Sequence, residues 1–279
     1  MQWWCSQLYK EWSWVPQPYL GVWLIVGALV ASRAVALRRW KARLGTPGVT
    51  TRQRWWFWLG VIAFWISSDW PVGTLGAGYL LLVHMAQYLL YTFLAAPLLL
   101  LSMPEWQMRR LVQRLHLHST LRLLCRPLPA VLTANIILLS THAPWTVDTL
   151  RVTQLGSFLL DALWLIGGFL LWLPVISPME EFRVKNGPLR CIYLFGAAGL
   201  TPMIPGGFFT FSRYPLFDTY EIAPRVGLSA LADQQIAGAM MKVGSVPVIW
   251  IVITVVWARW AGAEERASRE ALKAARAAG

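Results

Sequence analysis

Charge is scarce in this sequence. Of 279 residues only 14% are charged, where an ordinary soluble domain has about a quarter, and just 13 are acidic. Cysteine is scarcer still. Cys5, Cys125 and Cys191 lie far apart, which excludes a disulfide framework and a zinc knuckle. There is no Walker loop, GxSxG elbow, HExxH helix or strand-borne GxGxxG, so no hydrolase, nucleotide or dinucleotide site is indicated and no enzyme is expected. No internal repeat appears, and no two halves share a pair of broken helices as inverted-repeat carriers do. The N-terminus lacks the basic segment, short apolar core and cleavage site of a signal peptide, so the first helix is expected to remain.

Apolar side chains take the place of the missing charge. They make up 57% of the chain, with a mean hydropathy of +0.49 and 18 tryptophans. This is the composition of a polytopic membrane protein. A span needs about 20 largely apolar helical residues, and seven stretches offer one: 19–37, 55–67, 78–102, 128–141, 155–176, 190–210 and 229–257. The second and fourth are short, and Trp55, Trp56, Trp58, Trp65 and Trp70 suit an interfacial aromatic belt around the second. The fold expected is all-α: residues 1–18 an extracytoplasmic segment, 19–257 one seven-helix membrane domain, and 258–279 a basic, Ala-rich cytoplasmic tail.

The formal charge of +12 would suggest nucleic-acid binding in a soluble chain, but here it sets orientation. Lys and Arg collect on the cytoplasmic side, and 20 of the 25 basic residues fall in the first, third and fifth connections and the tail. Lys10, Arg151, Arg213 and Arg225 fall on the other face, and Lys242 lies within the seventh span. The N-terminus is then outside and the C-terminus inside. Residues 104–126 alternate Leu111, Val112 and Leu115 with Arg109, Arg110 and Arg114, as a helix lying on an anionic inner leaflet would, or as a solvated basic connector.

Ionisable groups within a bilayer are costly and are functional candidates by default. Here they are His84, His142, Asp161, Asp233 and Lys242, with Asp69 just beyond the second span. At 1.5 Å per residue, His84 and Asp161 lie about 9 Å, and Asp233 about 6 Å, below the outer starts of their helices. Their shared depth predicts one polar cavity open to the outside. His84, Tyr88 and Tyr91 recur at helical spacing. Imidazoles and the thioethers of Met240 and Met241 could hold a metal, while core packing explains the same residues. Lys242 could pair with Asp233 or Asp161, or snorkel outward. His116 and His118 have no carboxylate or thiolate beside them in sequence and are weak metal candidates. The run Thr201-Pro202-Met203-Ile204-Pro205-Gly206-Gly207 must interrupt regular helix.

Four motifs resemble the polytopic cytochrome c oxidase assembly factors of the caa type, the CtaG-like family. They are His84-Met85-Ala86-Gln87-Tyr88 with Ala96-Pro97-Leu98-Leu99, Thr141-His142-Ala143-Pro144, Gly168 through Trp172 to Pro174, and Asp233-Gln234-Gln235-Ile236-Ala237-Gly238. The resemblance covers about residues 55–256. It implies a multi-pass protein of the bacterial cytoplasmic membrane whose partners are oxidase subunits and which aids copper insertion from the outer side. Tyr88 and Asp161 stand where the family has histidines, so copper held by His84 and His142 would need Met240, Met241 or Asp161 as further ligands. The alternative is an accessory subunit of a respiratory or other energy-converting complex that has lost metal binding.

Overall fold

The computed structural model describes residues 2–278, and its regular secondary structure is all helix, with no strand among the described residues. Eight longer helices organise it: α1 (Leu20–Leu44), α2 (Thr51–Ser68), α3 (Leu81–Ser102), α4 (Pro127–Thr141), α5 (Gln154–Ile176), α6 (Gly187–Phe211), α7 (Ala230–Val243) and α8 (Val246–Ala278). Their starts follow from local chemistry. Side chains of Thr50, Thr153, Asn186 and Ser229 accept from backbone N–H groups of the first turns of α2, α5, α6 and α7, groups that a helix leaves free. Thr50 and Gln53 do so reciprocally, a capping box.

Among the described residues, five helical stretches are long and apolar enough to cross a membrane: α1, α3, α5, α6 and the run Ala230–Ala277. A sixth is a broken pair, His118–Leu124 with α4, bent by 89°. The expected second span, α2, has 18 residues, but its first two turns hold Arg52, Gln53, Arg54, Trp55 and Trp56, which leaves its apolar run short. The fourth, α4, has 15 residues, about 22 Å of helix against a core of about 30 Å.

Two spans contain π-helical turns, Leu90–Ala95 in α3 and Phe195–Leu200 in α6. The first explains one of the motifs. Ala96 N–H donates to the carbonyl of Tyr91, and the next such bond, to Thr92, would need an N–H that Pro97 lacks. Trp172 supplies it instead, its Nε1 donating to the Thr92 carbonyl at 2.8 Å. Gly168, one turn earlier, lets α5 approach, since a Cβ there would lie 2.7 Å from that of Ala96. The second π turn leads into a break at Thr201-Pro202 before helix resumes at Met203, where prolines and glycines predicted an interruption.

α6 and α7 meet backbone to backbone. A Cβ on Gly206 would sit 2.8 Å from the Gly238 carbonyl oxygen, and one on Gly238 would sit 2.6 Å from the Thr210 nitrogen. Small residues permit such approach between membrane helices. Gly238→Ala is expected to force the pair apart at a cost of about 1–3 kcal/mol, measured as a lower melting temperature in detergent, while Gly207→Ala, whose Cβ meets nothing within 4 Å, leaves it unchanged.

Candidate functional site

The candidate polar residues gather at the end of the bundle that holds residues 2–18. α5 starts there, and two to three turns in it presents Asp161 and Trp164, both buried. Asp161 is committed to partners. Arg151, just before the helix, brings Nη2 to 3.0 Å from Asp161 Oδ1 with both side chains buried. Trp4 Nε1 donates to Asp161 Oδ2 at 2.9 Å, and Arg151 Nη1 donates to Ser157 Oγ at 2.6 Å. The guanidinium carbon also lies 5.1 Å from the Trp164 ring centroid, a cation–π distance.

Trp164 is the hub. Its ring stacks on His142, with centroids 5.6 Å apart, and stands perpendicular to His84 at 4.7 Å. Its Nε1 donates to Thr141 Oγ1 at 3.1 Å. Tyr88 packs edge-on against His142 at 4.6 Å, and the two imidazole centroids are 5.9 Å apart. Two residues far apart in sequence, on α3 and at the end of α4, thus share one compartment. Tyr88 fills part of that compartment as packing.

Hydrogen bonding fixes the state of each ring. Tyr220 Oη donates to the Gly76 carbonyl at 2.6 Å and lies 2.8 Å from His84 Nδ1. Since the phenol proton is used on Gly76, His84 Nδ1–H donates to Tyr220. Burial holds that phenol well above its usual pKa, so it stays protonated. His142 Nδ1 lies 2.8 Å from the Leu138 carbonyl oxygen, which can only accept. A neutral ring bonded in this way carries its proton on Nδ1 and keeps the lone pair on Nε2. Both Nε2 atoms are buried and have no hydrogen-bond partner among the described residues. Buried polar atoms are normally paired, so two orphans in neighbouring rings are the notable chemistry of this site.

The site is buried among the described residues. His84, His142 and Asp161 are each no more than 2% exposed. The expectation of an outward-open hollow fails because residues 3–7 cover the site: Trp4 fills the space beside Phe158 and binds Asp161, Gln7 N–H donates to the Arg151 carbonyl at 2.9 Å, and Gln7 Nε2 donates to the Thr219 carbonyl at 3.2 Å. The segment satisfies polar groups that water would otherwise reach.

The other candidates have structural duties. Asp233 caps α3, accepting from Leu81 and Leu82 N–H at 2.6 and 2.9 Å. Gln234 accepts from Leu216 N–H and donates to the Tyr214 carbonyl, and Gln235 donates to the Ser212 carbonyl. With Gly238 against α6, the Asp-Gln-Gln-x-x-Gly motif is a clasp joining α3, α6, α7 and the loop after α6. Asp69 accepts from Trp23 and Trp65 Nε1, each at 2.7 Å, and Tyr91 Oη bonds Ser68 Oγ at 2.7 Å. Lys242 was a candidate partner for Asp161 or Asp233; its Nζ instead lies 4.8 Å from the Phe211 ring centroid, because Arg151 already occupies Asp161 and backbone N–H groups occupy Asp233. Met241 is buried in the core and Met240 packs against it. His118 does have a carboxylate in space, Glu181 at 3.2 Å. Among the described residues no group of three or more His, Cys, Asp or Glu is placed to hold a metal.

Arg151, Trp4, Trp164 and Tyr220 are site residues that the sequence reading did not single out. The signal for Arg151 was the need of a lone intramembrane Asp for a counter-charge.

Residues 34–263 match the family model described as cytochrome c oxidase caa3 assembly factor. No curated protein and no solved structure matches the chain.

Proposed function

Because the chain belongs to the cytochrome c oxidase caa3 assembly factor family, we propose that it is a non-catalytic, multi-pass assembly factor of a bacterial cytoplasmic membrane that passes Cu(I) to a haem-copper oxidase. The N-terminal segment and the His84 end face outward, and the end with most of the basic residues faces the cytoplasm. Arg151 is no exception to that sorting, since its charge is matched by Asp161.

The observation that supports the cargo is the pair of orphaned Nε2 atoms on His84 and His142. Neutral imidazole suits copper and zinc, but zinc takes four protein ligands in structural sites and three in catalytic ones. Two nitrogens in a buried compartment fit the low coordination number that Cu(I) accepts. The Arg151 and Asp161 charges cancel, so a single positive ion enters a compartment with no net charge. Asp161 is bound to Arg151 and Trp4 and is not a free ligand.

The test is metal titration of the purified protein with Cu(I) under a competing chelator, beside the double variant His84→Ala/His142→Ala. One copper per wild-type chain and none in the variant is the expected result. No copper in the wild type overturns the cargo and leaves the family assignment standing. Deletion of the gene is expected to leave the oxidase unassembled, and stoichiometric retention of the chain in the mature oxidase would overturn the transient role.

A further inference from the structure

At the end of the bundle opposite His84, the apolar run of α5 stops at Ile176 and that of α6 starts after Gly187. The connection between them holds Arg183 and Lys185, α6 adds Arg190, and α8 passes alongside with Arg259 and Trp260. Trp260 packs so tightly on Gly187 that a Cβ there would lie 2.5 Å from its ring. These residues surround a cavity of about 470 Å3 whose other wall is aliphatic, with Val175, Ile176 and Val255.

The cavity brings four cations together with little to neutralise them. Arg183 has Glu180 at 3.3 Å, and that carboxylate is largely exposed. Among the described residues no salt bridge reaches Lys185, Arg190 or Arg259. Nε of Arg183 and Nε of Arg190 are both buried without a hydrogen-bond partner. Like charges converging on a cavity repel unless an anion joins them, and buried guanidinium donors need an acceptor. An inorganic anion would satisfy the cations and leave the aliphatic wall bare. A molecule with a phosphate at one end and hydrocarbon at the other satisfies both.

We propose that this cavity binds the phosphate headgroup of an anionic phospholipid, its acyl chains running along α5 and α8. The position agrees with the chemistry, since the cations stand just past the ends of apolar helices, where a bilayer keeps its phosphates. A volume of this size is that of an ordinary ligand pocket. The site is independent of the His84 compartment.

Native mass spectrometry of the detergent-solubilised chain, titrated with phosphatidylglycerol or phosphatidylcholine, tests the site. The wild type is expected to retain phosphatidylglycerol selectively. Arg183→Gln/Arg190→Gln/Arg259→Gln is expected to bind it about a hundredfold more weakly, each surface cation contributing about a fivefold factor. Arg38→Gln/Arg39→Gln/Arg43→Gln, which removes equal charge from the end of α1, is expected to bind as the wild type does. If the triple variant fails to fold, Arg259→Gln alone, at an exposed position, should weaken binding about fivefold. Equal loss in both triple variants overturns the site in favour of general surface charge. Displacement of the lipid by millimolar inorganic phosphate overturns the lipid in favour of the free anion.

Discussion

Arg151→Met is expected to destabilise the protein by about 3–5 kcal/mol, the cost of leaving one partner of a buried ion pair alone. Arg151 and Asp161 meet at 3.0 Å with both side chains out of contact with solvent, so water cannot replace either partner. Asp161→Leu should cost at least as much, because it also strands Trp4 Nε1 and removes a tie of the N-terminal segment. The double variant Arg151→Met/Asp161→Leu should recover a large part of the loss, since no uncompensated charge remains. Thermal melts in detergent measure all three. Protease cleavage within residues 2–18 separates the roles: it is expected to rise in both variants that lack Asp161 and less in Arg151→Met, where Trp4 keeps its acceptor and Gln7 keeps its bond to the backbone of residue 151. Additive losses in the double variant would show that the pair does not couple.

Much of this end of the molecule was legible in the sequence. Apolar runs located the helices, and the common depth of His84, Asp161 and Asp233 placed them near one another. What depth alone does not carry is direction around the helix axis. Asp233 lies at the same end yet faces the first turn of α3, where two free N–H groups satisfy it. The partner of Asp161 was hidden for a different reason. Lys242 sits inside a span and looks costly, whereas Arg151 lies in a connection and reads as an exposed cation; only the turn into α5 folds it back onto the helix. The N-terminal segment was placed outside by the sorting of basic residues, a rule that carries no information on its contacts. Trp4 spends its indole N–H on a buried carboxylate, a contact 157 residues distant. The bend of 89° before α4 and the two π turns likewise depend on how neighbours accept the broken backbone, as Trp172 does for Thr92. The Asp-Gln-Gln-x-x-Gly motif was recognisable as a pattern, and its meaning as a clasp needed the positions of α3 and α6.

Tyr220→Phe is expected to weaken Cu(I) binding by about 10–100-fold while leaving both imidazoles in place. The phenol does not touch the proposed cargo; it is a positioning residue. Its oxygen accepts from His84 Nδ1–H and so keeps the lone pair on Nε2. Partners of this kind fix the tautomer and orientation of metal-binding histidines, and their removal typically costs that factor in affinity. Without the phenol, His84 can carry its proton on either nitrogen, and only one form offers Nε2. The substitution also strips the Gly76 carbonyl of its donor, a loss of about 1–3 kcal/mol in stability, so weaker binding could follow from loosened packing alone. His142 distinguishes the two. Its tautomer is set by the Leu138 carbonyl and is untouched by Tyr220, so a ring-nitrogen NMR signature should change at His84 and stay constant at His142. If both rings change together, the defect is general loosening. If the signature of His84 stays fixed while copper is still lost, Tyr220 acts by a route other than the tautomer.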